Sequence, residues 1–430
     1  MPISNYAPRI KGNSSNILDE NDEIWGVFDD INMMLLKIYF TDHGNLSCRL
    51  FLVPKLTYSY YLKMKQINVQ TQQKSKPTII CCEYPEKAQD NGYVFFKYLI
   101  KNYADNFNIY YLISDNSKDI KNLNGYERNL IQYKSVEHIK LFEKADLIIH
   151  SHTPNYALPF FTNFLENKVK EKNKLFLQHG VIASKDVSHI YGRKPTNEFT
   201  NLFVVSSERE KKEVFEKYNY PLEDIILTGL PRFDTIMENK GLKDTVKNSV
   251  LIMPTWRKGL DQYSEKAFKE TDFYKIYASL IHNKDLIDLI TRFDYTVKLY
   301  LHKNLQKFSY LFEGKFINVM FEGEKTVSEL LKESSLLITD YSSVGFDFAL
   351  MEKKVLYYRP PELISEEMIE ENNNVLPGNI IDNEKKLIEN MNSFDMDKIY
   401  KNKLKDIYKY NDSNACNRIA LEVFKILNRN

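Results

Sequence analysis

Five places in the 430-residue sequence end an apolar run with side chains able to move protons or hold anions. They are His179–Gly180, TGLPRFD at Thr228–Asp234, PTWR at Pro254–Arg257, Leu301–His302, and TDYSSVGFD at Thr339–Asp347. In open α/β sheets ligands collect beyond the carboxyl ends of the strands, so residues just after apolar runs are the first candidates. Histidine there can take a proton from a hydroxyl or return one to a leaving phosphate near neutral pH, which singles out His179 and His302. A lone histidine is more often a packed residue, and two facing one cleft are harder to dismiss. Arg257 carries a planar, permanently charged fork suited to phosphate, although beside Trp256 it also reads as a surface arginine. Arg232 is a second such candidate, in a Gly-Leu-Pro context that also marks a turn.

TDYSSVGFD is the strongest of the five on physical grounds. LLITD reads as an apolar strand and SSVGFDFALMEKK as the helix that follows, with Ser342 or Ser343 at the N-cap. Unpaired backbone N–H groups, hydroxyls and the helix dipole there make a phosphate or pyrophosphate site, with Gly345 allowing close approach. The plainer reading is that the serines only cap a helix. His150 and His152 form an HxH at another strand end without a third ligand nearby, and read as cleft lining rather than a metal site. DMD at Asp395–Asp397 copies a metal-binding DxD but follows a helical segment. EGEKT at Glu322–Thr326 resembles the end of a P-loop without the glycine required before it. GxGxxG, HExxH and GxSxG do not occur.

The elements that must hold these residues follow from the hydrophobic pattern. Up to about Gln73 it is irregular, with β-favouring pieces such as IWGVF and CRLFLV between Asp, Asn and Gly clusters, and predicts a small β-rich appendage over 1–73. Short apolar runs then alternate with amphipathic segments: TIICCEY, NGYVFFKYLIKNYA, NIYYLI, ADLIIHSH, KLFLQHG and NLFVVSS. That alternation predicts a parallel sheet with crossover helices over 74–240. After the polar stretch MENKGLKDTVKN a second series, SVLIMPTWR, TVKLYLH, FINVMF, SLLITDYSS and KVLYY, predicts another over 241–430. The fold class is α/β, with two doubly wound, Rossmann-like domains facing a ligand cleft.

Composition sets the outer limits. Hydrophobic residues are 43% and charged residues 27%, as in ordinary globular chains, which excludes wholesale disorder. With 59 Lys and Arg against 58 Asp and Glu, no global field recruits nucleic acid or an acidic membrane, so any anion site must be local. Cys48, Cys81, Cys82 and Cys416 show no CxxC spacing, which favours neither a zinc cage nor a disulfide framework and fits a reducing setting. The longest apolar stretch, Ile31 to Phe40, is interrupted by Asn32 and Lys37 and is half a membrane span. The first residues lack the apolar core of a signal peptide, so a cytoplasmic protein is expected. Near the C-terminus Tyr400, Leu404, Ile407 and Tyr408 share one helical face among lysines. Such a stripe can lie on an anionic membrane surface, and more often packs on its own protein.

Together the motifs KAQDNGYVFFKYL, LQHGVIASKDVSHIY, VVSSERE, TGLPRFD, MPTWR, LYLHKN and ELLKESSLLITDYSSVGFDFALMEKKVLYY, in this order from Pro77 to Tyr358, resemble the CDP-glycerol glycerophosphotransferases that build teichoic acids and related capsules. The resemblance implies a GT-B-like fold and transfer of glycerol phosphate, ribitol phosphate or a similar polyol phosphate from a CDP donor to a hydroxyl of a lipid-linked acceptor, with release of CMP. It implies that His179 is the catalytic base and that His302 serves the donor pyrophosphate. Thr255, Arg257, Ser342 and Ser343 match donor-binding positions, and Asp340 and Asp347 belong to the same signature. Gly180, Arg232 and His152 form a second tier. Two departures stand out: Lys303 where members often have proline, and RPPELISEEMIEENNNVLPGN where an acidic and aromatic run is usual.

The expected mechanism is attack of an acceptor hydroxyl on the β-phosphorus of a CDP-polyol, which demands alignment and charge neutralisation more than covalent help. No cofactor, metal or nucleic acid is expected, since the CDP-polyol is a substrate; the lipid-linked acceptor implies peripheral contact at the inner face of the membrane. The rival readings are a GT-B glycosyltransferase using a nucleotide sugar and a non-catalytic envelope-assembly protein, and fold alone separates neither.

Overall fold

The structure is a computed structural model that describes residues 23–40, 45–66, 76–182, 187–194, 199–238, 248–363, 375–392, 396 and 398–428. The first three strands, β1 (Glu23–Val27), β2 (Asn32–Phe40) and β3 (Leu46–Pro54), form an antiparallel sheet in the order β1-β2-β3. Asp29 closes the first turn by accepting the N–H groups of Ile31 and Asn32 at 2.8 and 2.6 Å. Because side chains alternate across a strand, the register puts Trp25, Leu35 and Phe51 on one face, which packs inward. Leu35 and Val53 are fully buried there, each stabilising the sheet by about 2 kcal/mol. The other face leaves Ile24, Leu50 and Leu52 exposed. A helix, Lys55–Gln66, follows; the boundary expected at residue 73 lies outside the described residues.

The second sheet contains β4 (Thr78–Cys82), β5 (Asn108–Ile113), β6 (Leu130–Gln132), β7 (Leu147–His150), β8 (Asn173–Phe176), β9 (Leu202–Val205) and β10 (Ile225–Leu227). Its order is β10-β9-β8-β7-β4-β5-β6, and the registered pairs are parallel. Every residue of β4, β7 and β9 is buried, as a parallel strand covered on both faces requires. The third sheet contains β11 (Ser249–Ile252), β12 (Thr296–Tyr300), β13 (Ile317–Met320), β14 (Leu336–Thr339), β15 (Lys354–Tyr358) and β16 (Asn379–Ile381). It is parallel in the order β13-β12-β11-β14-β15-β16, which reverses direction between β11 and β14. The corresponding reversal in the second sheet lies between β4 and β7. Doubly wound sheets bind ligands at these switch points, so the residues after β11 and β14 command interest.

The chain falls into two compact units, Met1–Leu177 with Arg193–Phe203 and Ala420–Asn430, and Gln178–Gly192 with Val204–Ile419. The loop carrying His179 therefore belongs with the second unit. In each unit a fully or nearly buried lysine closes the carbonyl end of a helix. Lys174 Nζ donates to the Lys170 carbonyl at 3.0 Å in the first, and Lys353 Nζ donates to those of Lys332 and Ser334 at 2.9 and 2.7 Å in the second.

The helix Lys398–Ile407 resolves the question of the aromatic, basic stripe. Ile407 and Tyr408 are buried, Tyr408 donates its hydroxyl to the Phe346 carbonyl at 2.7 Å, and Tyr400 reaches Asn379 at 2.6 Å. The stripe packs on its own unit. No helix among the described residues is long and apolar enough to cross a membrane.

Candidate active site

The switch point of the third sheet is organised around Asp340, the residue after β14, whose side chain is fully buried. One carboxylate oxygen accepts the backbone N–H groups of Thr255 and Tyr341 at 2.8 and 2.7 Å, and the other receives Arg257 Nη2 at 2.6 Å. A buried carboxylate is tolerable only with such a set of donors. Burial acts most strongly and against the charge on Arg257, but Asp340 together with Tyr277 and Tyr341 holds the guanidinium above its ordinary pKa. The remaining reach of Arg257 goes to the carbonyls of Thr255, at 2.9 Å, and Leu363, at 3.3 Å. The fork that the sequence offers to phosphate thus braces the turn through three of its five N–H groups. Thr255 contributes its hydroxyl to the Tyr341 N–H at 3.3 Å.

Beyond Asp340 the chain enters the helix Val344–Leu350 with Ser343 at the N-cap. Ser343 makes no capping hydrogen bond; Ser342 Oγ accepts the Val344 N–H at 3.3 Å. The helix start is thus satisfied by Ser342, and the Ser343 side chain takes no part in it. Its neighbour is Gly180: a Cβ at that position would collide with Ser343 Oγ and lie 2.8 Å from its Cβ. His179–Gly180 must carry glycine second for the loop to reach the serine. The close approach that Gly345 permits is of another kind, by Tyr357, whose hydroxyl occupies the space of the missing side chain.

Arg232 ties the same loop down. It sits in the helix Pro231–Glu238, with Pro231 at the position where a missing N–H costs nothing. Its Nη1 donates to the His179 carbonyl at 2.6 Å and its Nη2 meets both oxygens of Asp347 at 3.1 and 3.0 Å. Asp347, one turn into the Ser343 helix, is thereby a brace rather than an exposed acid. Gln178, before the histidine, adopts φ 58°, uncommon for a residue with a side chain, and is held by its amide on the Val204 carbonyl. Buried Glu210 adds a further fastening, accepting the N–H groups of Ile182 and Ser206, each at 2.6 Å. The result is an exposed imidazole on a loop whose backbone is fixed at several points, with Tyr191 Oη 3.3 Å from His179 Nδ1.

His302 follows β12 and its leucine, and caps the 3-10 turn Lys303–Phe312 through Nδ1, which accepts the Asn304 N–H at 3.3 Å. That bond fixes the neutral tautomer with the proton on Nε2, a hydrogen-bond donor. Its ring stacks on Trp256, centroids 5.9 Å apart. One residue of this neighbourhood escaped the sequence reading. Arg359 donates Nε to the Asp340 carbonyl at 2.7 Å and lies 3.9 Å over the Tyr341 ring. It is the first residue after β15, so the strand-end rule could have found it.

The sequence profile of the CDP-glycerol:poly(glycerophosphate) glycerophosphotransferases matches residues 63–425. The chain belongs to that family. It is 28% identical over 372 residues to the minor teichoic acid biosynthesis protein GgaB of Bacillus subtilis strain 168, covering 82% of this chain and 40% of the relative. Against the teichoic acid poly(ribitol-phosphate) polymerase of Bacillus spizizenii it is 29% identical over 172 residues, 36% of this chain and 25% of that one. The chain thus spans well under half the length of these two relatives. Among solved structures, the wall teichoic acid polymerase TagF superposes with a TM-score of 0.60 at 17% identity, over 87% of this chain and 94% of that one. A UDP-GlcNAc 2-epimerase of Neisseria meningitidis gives 0.52 at 14%, over 81% and 100%. These likenesses show the GT-B-like fold.

The first unit of this family member carries the other histidines of interest. His150, expected as cleft lining, is instead a core residue: it is fully buried, stacked 5.1 Å from Phe176, and pushed down to about 3 by burial and then by Lys174. His152 is half-buried beside Tyr84, ring centroids 4.3 Å apart, beyond the carboxyl end of β7. Among the described residues no three His, Cys, Asp or Glu side chains are grouped to hold a metal ion. Lys325 of EGEKT pairs with Glu333 at 2.5 Å, and Asp395 and Asp397 lie outside the described residues.

Proposed function

We propose that this chain transfers glycerol phosphate, ribitol phosphate or a similar polyol phosphate from a CDP-activated donor to a hydroxyl of a lipid-linked acceptor or growing teichoic acid or capsule polymer, releasing CMP. The observation that carries the reading is the exposed His179, locked through Gly180 against Ser343 and through Arg232 to Asp347, in a member of this family. Catalysis of phosphoryl transfer rests on positioning and charge stabilisation, and a braced loop supplies the first.

In the proposed reaction the acceptor oxygen attacks the β-phosphorus of the CDP-polyol. A new P–O bond forms, the bond to the bridging pyrophosphate oxygen breaks, and CMP leaves with that oxygen. His179 takes the hydroxyl proton as the bond forms. Ser343 and His302, whose ring directs an N–H donor, serve the phosphate oxygens, and the Arg257–Asp340–Thr255 brace holds the turn that presents them. The proposed setting is the cytoplasmic face of the membrane, where a lipid-linked acceptor would be met.

The test is CMP release by purified protein from CDP-glycerol, CDP-ribitol and nucleotide sugars, each with and without a lipid-linked acceptor. Acceptor-dependent release from a CDP-polyol supports the reading and names the donor. Silence with CDP-polyols but turnover of a nucleotide sugar would replace it with the glycosyltransferase reading.

A further inference from the structure

His179 has two ring nitrogens, and one of them is already engaged. Tyr191 Oη stands 3.3 Å from Nδ1, with the two rings nearly perpendicular, centroids 6.3 Å apart at 72°. Neither residue of the pair is left to drift. The His179 backbone is held by Arg232, and Tyr191 sits in the short helix Ser188–Tyr191 with its N–H on the Val187 carbonyl at 3.0 Å. Its own carbonyl accepts the hydroxyl of Tyr220, a residue only 1% exposed, at 3.0 Å. The phenol is therefore delivered to the imidazole by a scaffold reaching into the core.

We propose that Tyr191 is a positioning residue for His179: its phenolic oxygen accepts the Nδ1–H of the imidazole, fixing the ring and the tautomer that presents the Nε2 lone pair to the acceptor hydroxyl. The inference rests on the reading of His179 as the proton acceptor. A neutral histidine in water favours the opposite tautomer, with the proton on Nε2 and no base there. The Tyr191 hydroxyl reverses that preference when it accepts from Nδ1 and turns its own proton away, because which nitrogen carries the proton is set by the bond the other one makes. On proton transfer the imidazolium keeps its Nδ1–H on the phenol oxygen, so the same contact holds the ring before and after the step. Both residues lie in the segment LQHGVIASKDVSHIY, twelve positions apart, but the order of residues alone does not show that their side chains meet.

The experiment reads the tautomer directly, by nitrogen-15 NMR of histidine-labelled full chain above the titration of His179, with the His179→Gln spectrum giving the assignment. The expected result is Nδ1–H in the wild type and Nε2–H in Tyr191→Phe, with kcat for acceptor-dependent CMP release about tenfold lower and KM for the CDP-polyol unchanged. A wild-type spectrum showing Nε2–H overturns the proposal without recourse to any variant. So does a correctly folded Tyr191→Phe protein with the wild-type kcat. Failure of the underlying reading looks different: His179→Ala would then retain full turnover, whatever the tautomer.

Discussion

Arg232 Nη1 lies 2.6 Å from the carbonyl oxygen of His179, and the same guanidinium closes on Asp347. One side chain thus couples the loop bearing the proposed base to the helix that begins at Ser343. The ion pair at the helix end of that coupling is largely out of water, with Arg232 and Asp347 side chains 14% and 9% exposed.

Arg232→Met is expected to strand a buried carboxylate and cost about 3 kcal/mol of stability. A second substitution, Asp347→Leu, should return most of the melting temperature while leaving CMP release low, because the loop brace stays absent. Calorimetry and turnover on both proteins check this; activity that recovers together with stability would show that the brace is dispensable for transfer.

Gly180→Ala drives a methyl group into Ser343. Turnover should fall at least tenfold, about 1.4 kcal/mol in the barrier, and the melting temperature should fall with it, since the loop is pinned through Gln178, His179 and Ile182 and cannot step aside. Ser343→Gly in the same protein should relieve the clash without restoring the serine hydroxyl. Wild-type turnover in Gly180→Ala would remove the Gly180–Ser343 contact from the mechanism.

Asp340→Ala leaves Arg257 without its carboxylate and two backbone N–H groups without an acceptor, a loss of about 3–5 kcal/mol. Asp340→Asn keeps one oxygen for those N–H groups and loses the charge. The asparagine protein should fold and bind the CDP donor more weakly than the wild type, which titration calorimetry with the nucleotide can read. Equal affinity in the two proteins would confine Asp340 to a purely architectural role.

Acid should unfold the first unit through two histidines. His150 and His138 ordinarily titrate near 6.5, and burial pushes them down to about 3 and about 4. Both are neutral in the folded chain, and His138 also bonds its Nε2 to the Ala157 carbonyl at 2.9 Å. Their contribution is complete above 6.5 and drains away as pH falls toward those lower values, at about 1.4 kcal/mol per pH unit for each. Buried Glu83 works in the opposite sense: burial and then Asp90 raise its pKa, so the folded chain retains its proton where the unfolded chain has lost it. Urea titrations across this range should show a slope reduced by one proton in His150→Phe; an unchanged slope would mean that His150 is not buried in its neutral form.

Much of this architecture is legible in the amino-acid order, and the exceptions share a cause. The apolar runs TIICC, LFVV, LLIT and KVLYY announce β4, β9, β14 and β15 because strands buried on both faces have nothing polar to hide. The strands that pass unseen, β6, β10 and β16, are three residues long and stand at sheet edges, where pairing with one neighbour suffices and no pattern can accumulate. The candidate site divides in the same way. His179, Arg257 and His302 follow strands and are found by position. His150 occupies a similar place yet turns inward between Phe176 and Phe199, an orientation that period alone does not reveal. Arg359 also follows a strand and is open to the same rule, whereas Tyr191 acts through a contact that only folding creates.

The two capped lysines give each unit a chemical clock. An amine that is donating to helix-end carbonyls beneath a packed surface cannot meet an acylating reagent until its surroundings open. Labelling of Lys174 would time the opening of the first unit and labelling of Lys353 that of the second, in one digest of one sample. Unequal rates would show that the halves of this chain come apart separately, and would say which lets go first.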